Sequence, residues 1–505
     1  MCHDVTAPLP PRPAPTWPQP SRLTVLVACD TRALGNGGVG ARQRTNGRGT
    51  GPVTAAARRE GAWDGQPALF TSLSVTLDQR VRPALTLLVL AVAMLLGGSA
   101  VPALVLVVEL AAVPLLVLVT GLPPHPDRLA RAGGWLCVAA AATVAVQLIP
   151  LPDALGAALP GRTVATALRA AAGVSGPWPL SLDPQATLGS GLTLIPGVAI
   201  LLSAVRASPA ERGRLMVLAV TIGTAGALLG AYQVATGGPY LFDDAQQGQS
   251  TGLFANRNHQ GALILTTVLL LAGVGGDWAD TWARRLLLVA PLLVLALCGV
   301  LTGSRTTLLL LPLVLGIAAA ILFLRVRVWV RQVLAAAGIG VALVTLATRL
   351  PVVAPAVARL AGAGDDGRFG YWRDVAVAIR AYWPVGSGFG TFPAVYATVE
   401  DLDGVGRSLV NHAHDEPLEL LLEGGVASAL LLAGWLTLVL AAARRLRWAE
   451  SRGGWAALAA IAVVAAVSLT EFPLRNFTVA VVFALAHAVL LQSGAAKASG
   501  SGGRS

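Results

Sequence analysis

The chain has 505 residues, of which 55% are hydrophobic and 12% charged, with a mean hydropathy of +0.67. These values exclude an ordinary soluble domain and indicate an integral membrane protein. The net charge of +11 rests almost wholly on arginine, since Lys497 is the only lysine. In such a chain a basic excess indicates cytoplasmic loops, so we expect no nucleic-acid partner.

Residues 1–80 differ in composition from the rest of the chain. PLPPRPAPTWPQP is rich in proline and GNGGVGARQRTNGRGTG is rich in glycine, and neither shows an apolar period. They predict a disordered cytoplasmic tail, although a start site assigned too early would give the same pattern. We expect the membrane domain to cover residues 81–495 and a short cytoplasmic tail to cover residues 496–505.

Apolar runs follow one another from residue 83 onward. A run of about 17 to 25 apolar residues spans a bilayer. Twelve such runs lie near 83–99, 102–121, 134–152, 188–205, 214–236, 259–276, 285–303, 306–324, 332–350, 417–442, 453–471 and 477–493. They predict an all-α polytopic membrane protein with about 12 transmembrane helices, in a range of eleven to thirteen because the first two runs are almost continuous.

The loops between these runs differ in their arginine content. Alternate loops carry Arg128 and Arg131; Arg206, Arg212 and Arg214; Arg284 and Arg285; Arg325, Arg327 and Arg331; and Arg444, Arg445, Arg447 and Arg452. Arginine in short loops stays on the cytoplasmic side. We therefore expect both termini in the cytoplasm and four segments on the outer side: 153–187, 237–258, 351–416 and the short turn TEFPLRN.

The longest outer segment, 351–416, combines an amphipathic pattern with a cluster of ionisable residues. Residues with apolar side chains recur at helical spacing, namely Trp372, Val375, Ala376, Ile379 and Trp383. This spacing predicts a short helix that lies along the membrane surface or caps a cavity. The segment leads into NHAHDEPLELLLEGG (411–425), which holds two histidines and four carboxylates.

The order of the outer motifs resembles that of the O-antigen ligase and O-antigen polymerase superfamily. The motifs are PLSLDPQAT (179–187), GLFANRNHQG (252–261), TGSRTT (302–307), GRFGYWRDV with WPVGSGFGTF (367–392), and NHAHDEPLELLLEGG; the resemblance covers roughly residues 134–490. It implies transfer of a glycan from an undecaprenyl-diphosphate carrier to a lipid or glycan acceptor, such as lipid A core, at the outer face of the bacterial inner membrane. It also implies that no metal or other cofactor takes part.

The resemblance further assigns roles to particular residues. His414, Asp415 and Gly425 match the ligase pattern of a histidine, a small polar residue and a later glycine, so His414 is the expected catalytic histidine. Asp415 departs from the usual asparagine, serine or glutamine. Arg305 and Arg368 match the family's two functional arginines and would bind the diphosphate. Other candidate substrate contacts are Arg257, His259, His412, Asp415, Glu419 and Glu423.

These residue types suit the implied chemistry without the resemblance. Arginine is a permanently charged, forked donor that meets phosphate oxygens, and it stabilises a diphosphate leaving group. An unperturbed imidazole titrates near pH 6.5, as a general base for an acceptor hydroxyl requires, although His414 could equally just orient that hydroxyl. Asp415 and Pro417 predict the start of a helix. The carboxylates at 416, 419 and 423 share one face of that helix, which should point toward arginines or the acceptor.

Several alternative functions remain open from the sequence. A polymerase that extends glycan repeats on the same carrier needs the same arginines, and an oligosaccharyltransferase acting on protein is a third possibility. A secondary transporter would show internal repeats and ionisable residues near the membrane midplane, and no clear repeat is visible. An inactive scaffold would not need His414 and both arginines. A zinc site at HAHD, with His259 as a third ligand, lacks a further ligand cluster.

Overall fold

The computed structural model of the protein describes residues 77–242, 246–323, 368–401, 409–447 and 451–493, with a few isolated positions between 338 and 345. The apolar run predicted at 332–350 lies largely outside these residues, as do residues 1–76 and 494–505.

The prediction of an all-α polytopic membrane protein is confirmed, because the described residues form long apolar helices. A short π-helical turn at Leu77–Val81 opens the described part. The helices that form the bundle are α1 (Arg82–Leu96), α2 (Pro102–Thr120), α3 (Arg128–Gln147), α6 (Pro184–Leu192), α7 (Leu194–Ala204), α8 (Pro209–Thr236), α9 (Arg257–Trp278), α10 (Trp282–Leu287), α11 (Val289–Leu301), α12 (Arg305–Phe323), α15 (Glu416–Ala443), α16 (Arg452–Ser468) and α17 (Phe477–Gln492).

Nine stretches of the described residues are long and apolar enough to cross a membrane, with α6–α7 and α10–α11 each counting as one. The last two helices, α16 and α17, are apolar but shorter. The predicted run 453–471 is longer than α16, because its last residues form a turn that leads into a 3-10 helix at Pro473–Arg475. Each predicted run in the described part coincides with a helix or a helix pair.

Shorter elements connect the bundle helices at one end. They are α4 (Asp153–Ala158), α5 (Thr163–Ala171), α13 (Arg368–Tyr382), α14 (Phe392–Tyr396) and the strands β1 (Pro150–Leu151) and β2 (Trp178–Pro179). The two strands pair antiparallel, with Pro150 opposite Pro179 and Leu151 opposite Trp178. Helix α13 confirms that a helix forms over Trp372, Val375, Ala376 and Ile379, whereas Trp383, the last position of the predicted pattern, follows the helix. The strand pair was not predicted.

Helix α9 forms the centre of the bundle. It packs against α8, α12 and α16. In its most apolar stretch of 18 residues 83% of the residues are buried, whereas the corresponding shares are 11% in α3 and 17% in α15. A helix that is apolar on all sides lies either in a protein core or in lipid, and the burial of α9 shows that other helices surround it. Small residues allow close packing, since a Cβ on Gly261 would collide with Thr307 and one on Gly273 with Ala456. The lightly buried α3 and α15 pack on each other at the periphery of the bundle, as is typical of helices that face lipid.

Polar side chains fix where the helices begin. The first N–H groups of a helix have no partner within it, and a preceding Asp, Asn or Ser oxygen accepts from them. Asn256, Asp415 and Asn476 cap α9, α15 and α17 in this way. The caps of α9 and α15 set the positions of two of the helix starts that build the site described next.

Candidate functional site

Three helix starts and one turn meet at one end of the bundle, which we call the site end. The turn is 470–476, between α16 and α17. Thr470 in this turn lies 2.9 Å from Thr306 at the start of α12, oxygen to oxygen. Glu471 accepts a hydrogen bond of 2.5 Å from Asn258 at the start of α9. It also faces His414, directly before α15. The turn therefore joins all three starts.

His414 and Glu471 form a hydrogen-bonded pair. Nδ1 of His414 lies 3.3 Å from Oε2 of Glu471, whose side chain is 1% exposed, whereas that of His414 is 24% exposed. A carboxylate only accepts, so in the neutral imidazole this contact places the hydrogen on Nδ1 and leaves the lone pair on Nε2. His414 has a φ of 51°, a left-handed conformation that is uncommon outside glycine and is often found at functional sites.

Phe472 holds the neighbouring histidines in place. Its ring centroid lies 4.2 Å from that of His412, 5.0 Å from that of His414 and 4.9 Å from that of His259. His259 is 6% exposed, and among the described residues its Nε2 has no hydrogen-bond partner. Three imidazoles thus surround one phenylalanine next to a buried carboxylate.

His412 is tied to α15 through Glu419. Nδ1 of His412 lies 2.8 Å from Oε1 of Glu419, and the backbone N–H of Ala413 donates to Oε2 over 2.9 Å. The indole N–H of Trp372 donates to the carbonyl of Ala413 over 3.1 Å. The segment 412–414 is therefore held between α15 and the first turn of α13, where Arg368 begins the helix.

Arg475 balances the charge of two buried carboxylates. Its Nη2 lies 3.0 Å from Oε1 of Glu419 and 2.8 Å from Oε2 of Glu423, and these carboxylates are 1% and 0% exposed. Burial alone would lower the pKa of Arg475, but Glu423 and Glu419 raise it above its ordinary value. Glu423 also accepts from the backbone N–H of Phe392. The carboxylate face of α15 meets an arginine, as the helical spacing predicts.

Glu416 has a separate set of partners, one at the end of α16 and one in the turn 470–476. Ser468 donates to its Oε2 over 2.5 Å, and the backbone N–H of Leu474 donates to its Oε1 over 2.6 Å. Asp415 caps α15 by accepting from the N–H of Leu418 over 2.9 Å. Burial raises the pKa of Asp415, the Leu418 N–H opposes this, and Glu419 adds to the rise. These carboxylates thus have partners within the protein.

Helix α15 is broken at Gly425, where φ is 55° and ψ is −134°. The loop that follows α13, residues 384–390, fills the break. The N–H of Val426 donates to the carbonyl of Pro384 over 2.9 Å, and the N–H of Gly388 donates to that of Glu423 over 2.9 Å. A Cβ on Gly425 would lie 2.1 Å from the Pro384 oxygen. An irregular backbone is stable within a membrane domain only when other protein groups satisfy it, as this loop does.

The side chain of Gln147, at the end of α3, secures the same loop. Its Nε2 donates to the carbonyl of Glu423 over 2.9 Å, and its Oε1 accepts from the N–H of Phe389 over 2.9 Å. Gln147 is 3% exposed. One buried amide therefore bridges the broken helix and the loop that fills the break.

The predicted arginines share a position in the secondary structure. Arg257, Arg305 and Arg368 are the first residues of α9, α12 and α13. Arg305 is exposed, and Arg257 donates from Nη1 to Gln249; the Arg368 side chain lies outside the described residues. The start of a helix carries partial positive charge and free N–H groups, so arginine there adds to a field that favours anions.

The alternative of a zinc site finds no arrangement to support it in the described part of the chain. There, no three or more His, Cys, Asp and Glu side chains come together in a way that could hold a metal ion. His412 and His414 instead direct Nδ1 at different carboxylates, Glu419 and Glu471.

The sequence patterns gave no role to Glu471, Phe472 or Arg475. All three lie in TEFPLRN, which was identified only as a short outer turn. The sequence holds one weak indication of a role, because a glutamate and an arginine lie in a turn of a few residues between two apolar runs. Charges at such a point need partners at the same end of the bundle, and the nearest unexplained charges were those of 411–425.

Comparison with known proteins supports the expected resemblance. Residues 290–433 match the family model described as O-antigen ligase. The matched range includes Arg305, Arg368 and the segment His412–Glu423, whereas Glu471 and Arg475 lie beyond it. No curated protein matches the chain.

Proposed function

We propose that this multi-pass membrane protein, which is of the O-antigen ligase type over residues 290–433, transfers a glycan from an undecaprenyl-diphosphate carrier to a hydroxyl group of a lipid or glycan acceptor. The reaction takes place at the site end of the bundle, on the outer face of the bacterial inner membrane. Both chain termini lie in the cytoplasm in this arrangement.

The observation that carries the proposal is the pair formed by His414 and the buried Glu471. A general base needs a free lone pair, a fixed orientation and a nearby charge that stabilises its protonated form. The 3.3 Å contact through Nδ1 leaves Nε2 of His414 as the acceptor of the proton, and Asn258 and Phe472 fix the two side chains. His414 is partly exposed, so an acceptor hydroxyl can approach it.

In the transfer step, Nε2 of His414 accepts the hydroxyl proton of the acceptor as its oxygen attacks the anomeric carbon. A new carbon–oxygen bond forms, and the bond between the anomeric carbon and the diphosphate breaks. The bond's electron pair leaves with the diphosphate, which remains on the prenyl carrier. Attack from the face opposite the leaving group inverts the anomeric configuration.

The leaving diphosphate carries charge that the protein must stabilise. Arg305 and Arg368 are assigned this role, since each opens a helix at the site end. Arg305 is an exposed cation, and the neighbouring Thr306 contacts the turn that holds Glu471. Guanidinium groups and helix starts together provide donors for phosphate oxygens. His259, with its unpartnered nitrogen, and Arg257 are candidate contacts for the same substrate.

The test is a transfer assay with purified protein in proteoliposomes, supplied with a lipid-diphosphate-linked glycan and lipid A core as acceptor, in the presence of EDTA. Glycan transferred to the core, with inverted anomeric configuration, is the expected product. Growth of the glycan chain on the carrier would instead identify a polymerase. No turnover of the donor would contradict both assignments and would favour a transporter.

A further inference from the structure

Helix α5 has an apolar face that the rest of the protein leaves uncovered. None of its residues is buried, and Val164 and Leu168, one helical turn apart, are 51% and 65% exposed. A second side of the helix is held against Trp178 by Arg162, directly before the helix, and by Arg169 in its last turn. The guanidinium carbon of Arg169 lies 4.6 Å from the ring centre of Trp178, and that of Arg162 lies 5.4 Å from it. The helix is therefore fixed with its apolar face outward.

The position of α5 is set by the end of one membrane-spanning helix, α3. The N–H of Ser181 donates to the carbonyl of Gln147, the last residue of α3, over 2.9 Å. Trp178 precedes Ser181 by three residues, which span at most about 11 Å of extended chain. Since α5 contacts Trp178 through its arginines, it lies close to the point where α3 leaves the membrane. The polar layer of a bilayer is about 5 to 8 Å thick on each side, so this separation allows α5 to lie at the level of that layer.

Further exposed apolar side chains lie on the adjoining spans and on the segments between those spans and α5. At the ends of the adjoining spans, Val146 is 51% exposed and Leu188 is 52% exposed. Between these spans and α5, Ile149, Leu155 and Val174 are each more than half exposed. Exposed apolar side chains on membrane-spanning helices, on the segments next to them and on a nearby amphipathic helix fit a lipid surface.

We propose that α5 lies in the plane of the membrane at the boundary between headgroups and acyl chains, in the leaflet at the site end. Val164 and Leu168 enter the acyl region, whereas Thr166, on the opposite side of the helix, faces water. Short amphipathic helices bind membranes in this way, with their apolar face at that boundary. The partner is thus the lipid surface itself, and the inference does not depend on the proposed reaction.

Such an anchor would set the height of the site above the membrane. The segment after β2 contacts the loop that fills the break in α15: the N–H of Leu182 donates to the carbonyl of Ser387 over 2.9 Å, and the hydroxyl of Thr187 to that of Phe389 over 2.7 Å. A helix resting on the lipid is thereby linked to the loop that holds α15. A substrate that arrives from the bilayer would meet the site at a fixed depth.

The test measures the depth of α5 in the full-length protein. The four cysteines are replaced by alanine, and a single cysteine is introduced as Leu168→Cys or, as the matched control, Thr166→Cys. Each is labelled with a nitroxide, and the protein is placed in nanodiscs of phosphatidylethanolamine and phosphatidylglycerol. Both positions are exposed, so neither label disturbs packing. Collision with oxygen, which partitions into lipid, is compared with collision with a water-soluble nickel chelate.

The proposal expects the ratio of oxygen to nickel collisions at position 168 to exceed that at 166 several-fold. Equal, water-like ratios at both positions would overturn it, because α5 would then stand clear of the membrane. Protection of position 168 from both reagents would also overturn it and would show that a protein surface, such as a second copy of the chain, covers the helix. Glycan transfer is not needed for this readout, so failure of the proposed function would be detected separately.

Discussion

Replacing Arg475 with methionine should destabilise the protein through the carboxylates left behind. Arg475 is the cation beside Glu423, which is fully buried, whereas Glu419 retains His412 as a second partner. Removing one member of a buried ion pair costs about 3 to 5 kcal/mol, because the remaining charge is buried without compensation. Arg475 is itself a quarter exposed, so we expect the lower value, about 3 kcal/mol, which is about a hundredfold in the unfolding equilibrium.

The assay is equilibrium unfolding of the purified protein in mixed micelles, followed by tryptophan fluorescence. Replacing the carboxylate that has lost its partner should restore stability. The free energy of unfolding of the double variant Arg475→Met/Glu423→Gln should therefore exceed that of Arg475→Met by at least about 1 kcal/mol. The control is Arg284→Met, which breaks an exposed pair with Asp280 and should cost at most about 1 kcal/mol. A cost for Arg475→Met no larger than the control, or no recovery in the double variant, would refute the reasoning.

Three further predictions concern the surroundings of His414. Gly425→Ala should lower the free energy of unfolding by about 1 to 3 kcal/mol, because the backbone conformation at 425 is strained for any other residue and the new Cβ would collide with the Pro384 carbonyl. The control is Gly213→Ala, in a helix with open space around the new Cβ, which should raise the free energy of unfolding by up to about 1 kcal/mol. Glu471→Gln should lower kcat by about tenfold to a hundredfold with little change in KM, because it orients the base without contacting substrate. Asp415→Asn should keep the helix cap and raise stability at neutral pH, since burial raises the pKa of Asp415 above its ordinary value of 3.8.

The direction in which Asp415 changes stability with pH follows from proton binding. A carboxyl group whose pKa is higher in the folded protein binds more protons there, so it reduces stability as pH rises from 3.8 through the raised value. Unfolding measured across that range should therefore show a smaller loss for Asp415→Asn than for the wild type. Parallel curves for the two proteins would contradict this explanation.

The other two predictions have outcomes that would contradict them as clearly. If Gly425→Ala and Gly213→Ala melted alike, the break in α15 would not need glycine. If Glu471→Gln raised KM and left kcat unchanged, the carboxylate would contribute to substrate binding, and its hydrogen bond to His414 would not be what matters.

The local features of the site could be predicted from the sequence. Continuous apolar runs identify membrane-spanning helices because length and composition alone determine whether a segment can cross a bilayer. The start of α15 also follows from local rules, since Asp415 accepts the N–H of Leu418 as a cap residue should. The shared face of the glutamates follows from helical spacing, and in the structure two of them meet Arg475.

The partners of these residues could not be predicted because they come from distant parts of the chain. Glu471 follows His414 by more than fifty residues and Asn258 precedes it by more than a hundred and fifty, and periodicity within one segment cannot show that they meet. The break at Gly425 is hidden for a different reason. The apolar run continues through it, and only the loop 384–390, from another element, reveals why the helix must open there.

The central claim is that His414 is the base in a glycan transfer from a lipid-diphosphate donor. The most direct test compares initial transfer rates of wild type, His414→Ala and His125→Ala in proteoliposomes, normalised to folded protein; His125 serves as the control because it lies next to the start of α3, at the opposite end of the bundle. We predict that His414→Ala loses at least about a hundredfold in rate while His125→Ala keeps the wild-type rate. A His414→Ala variant that transfers glycan at the wild-type rate would contradict the account.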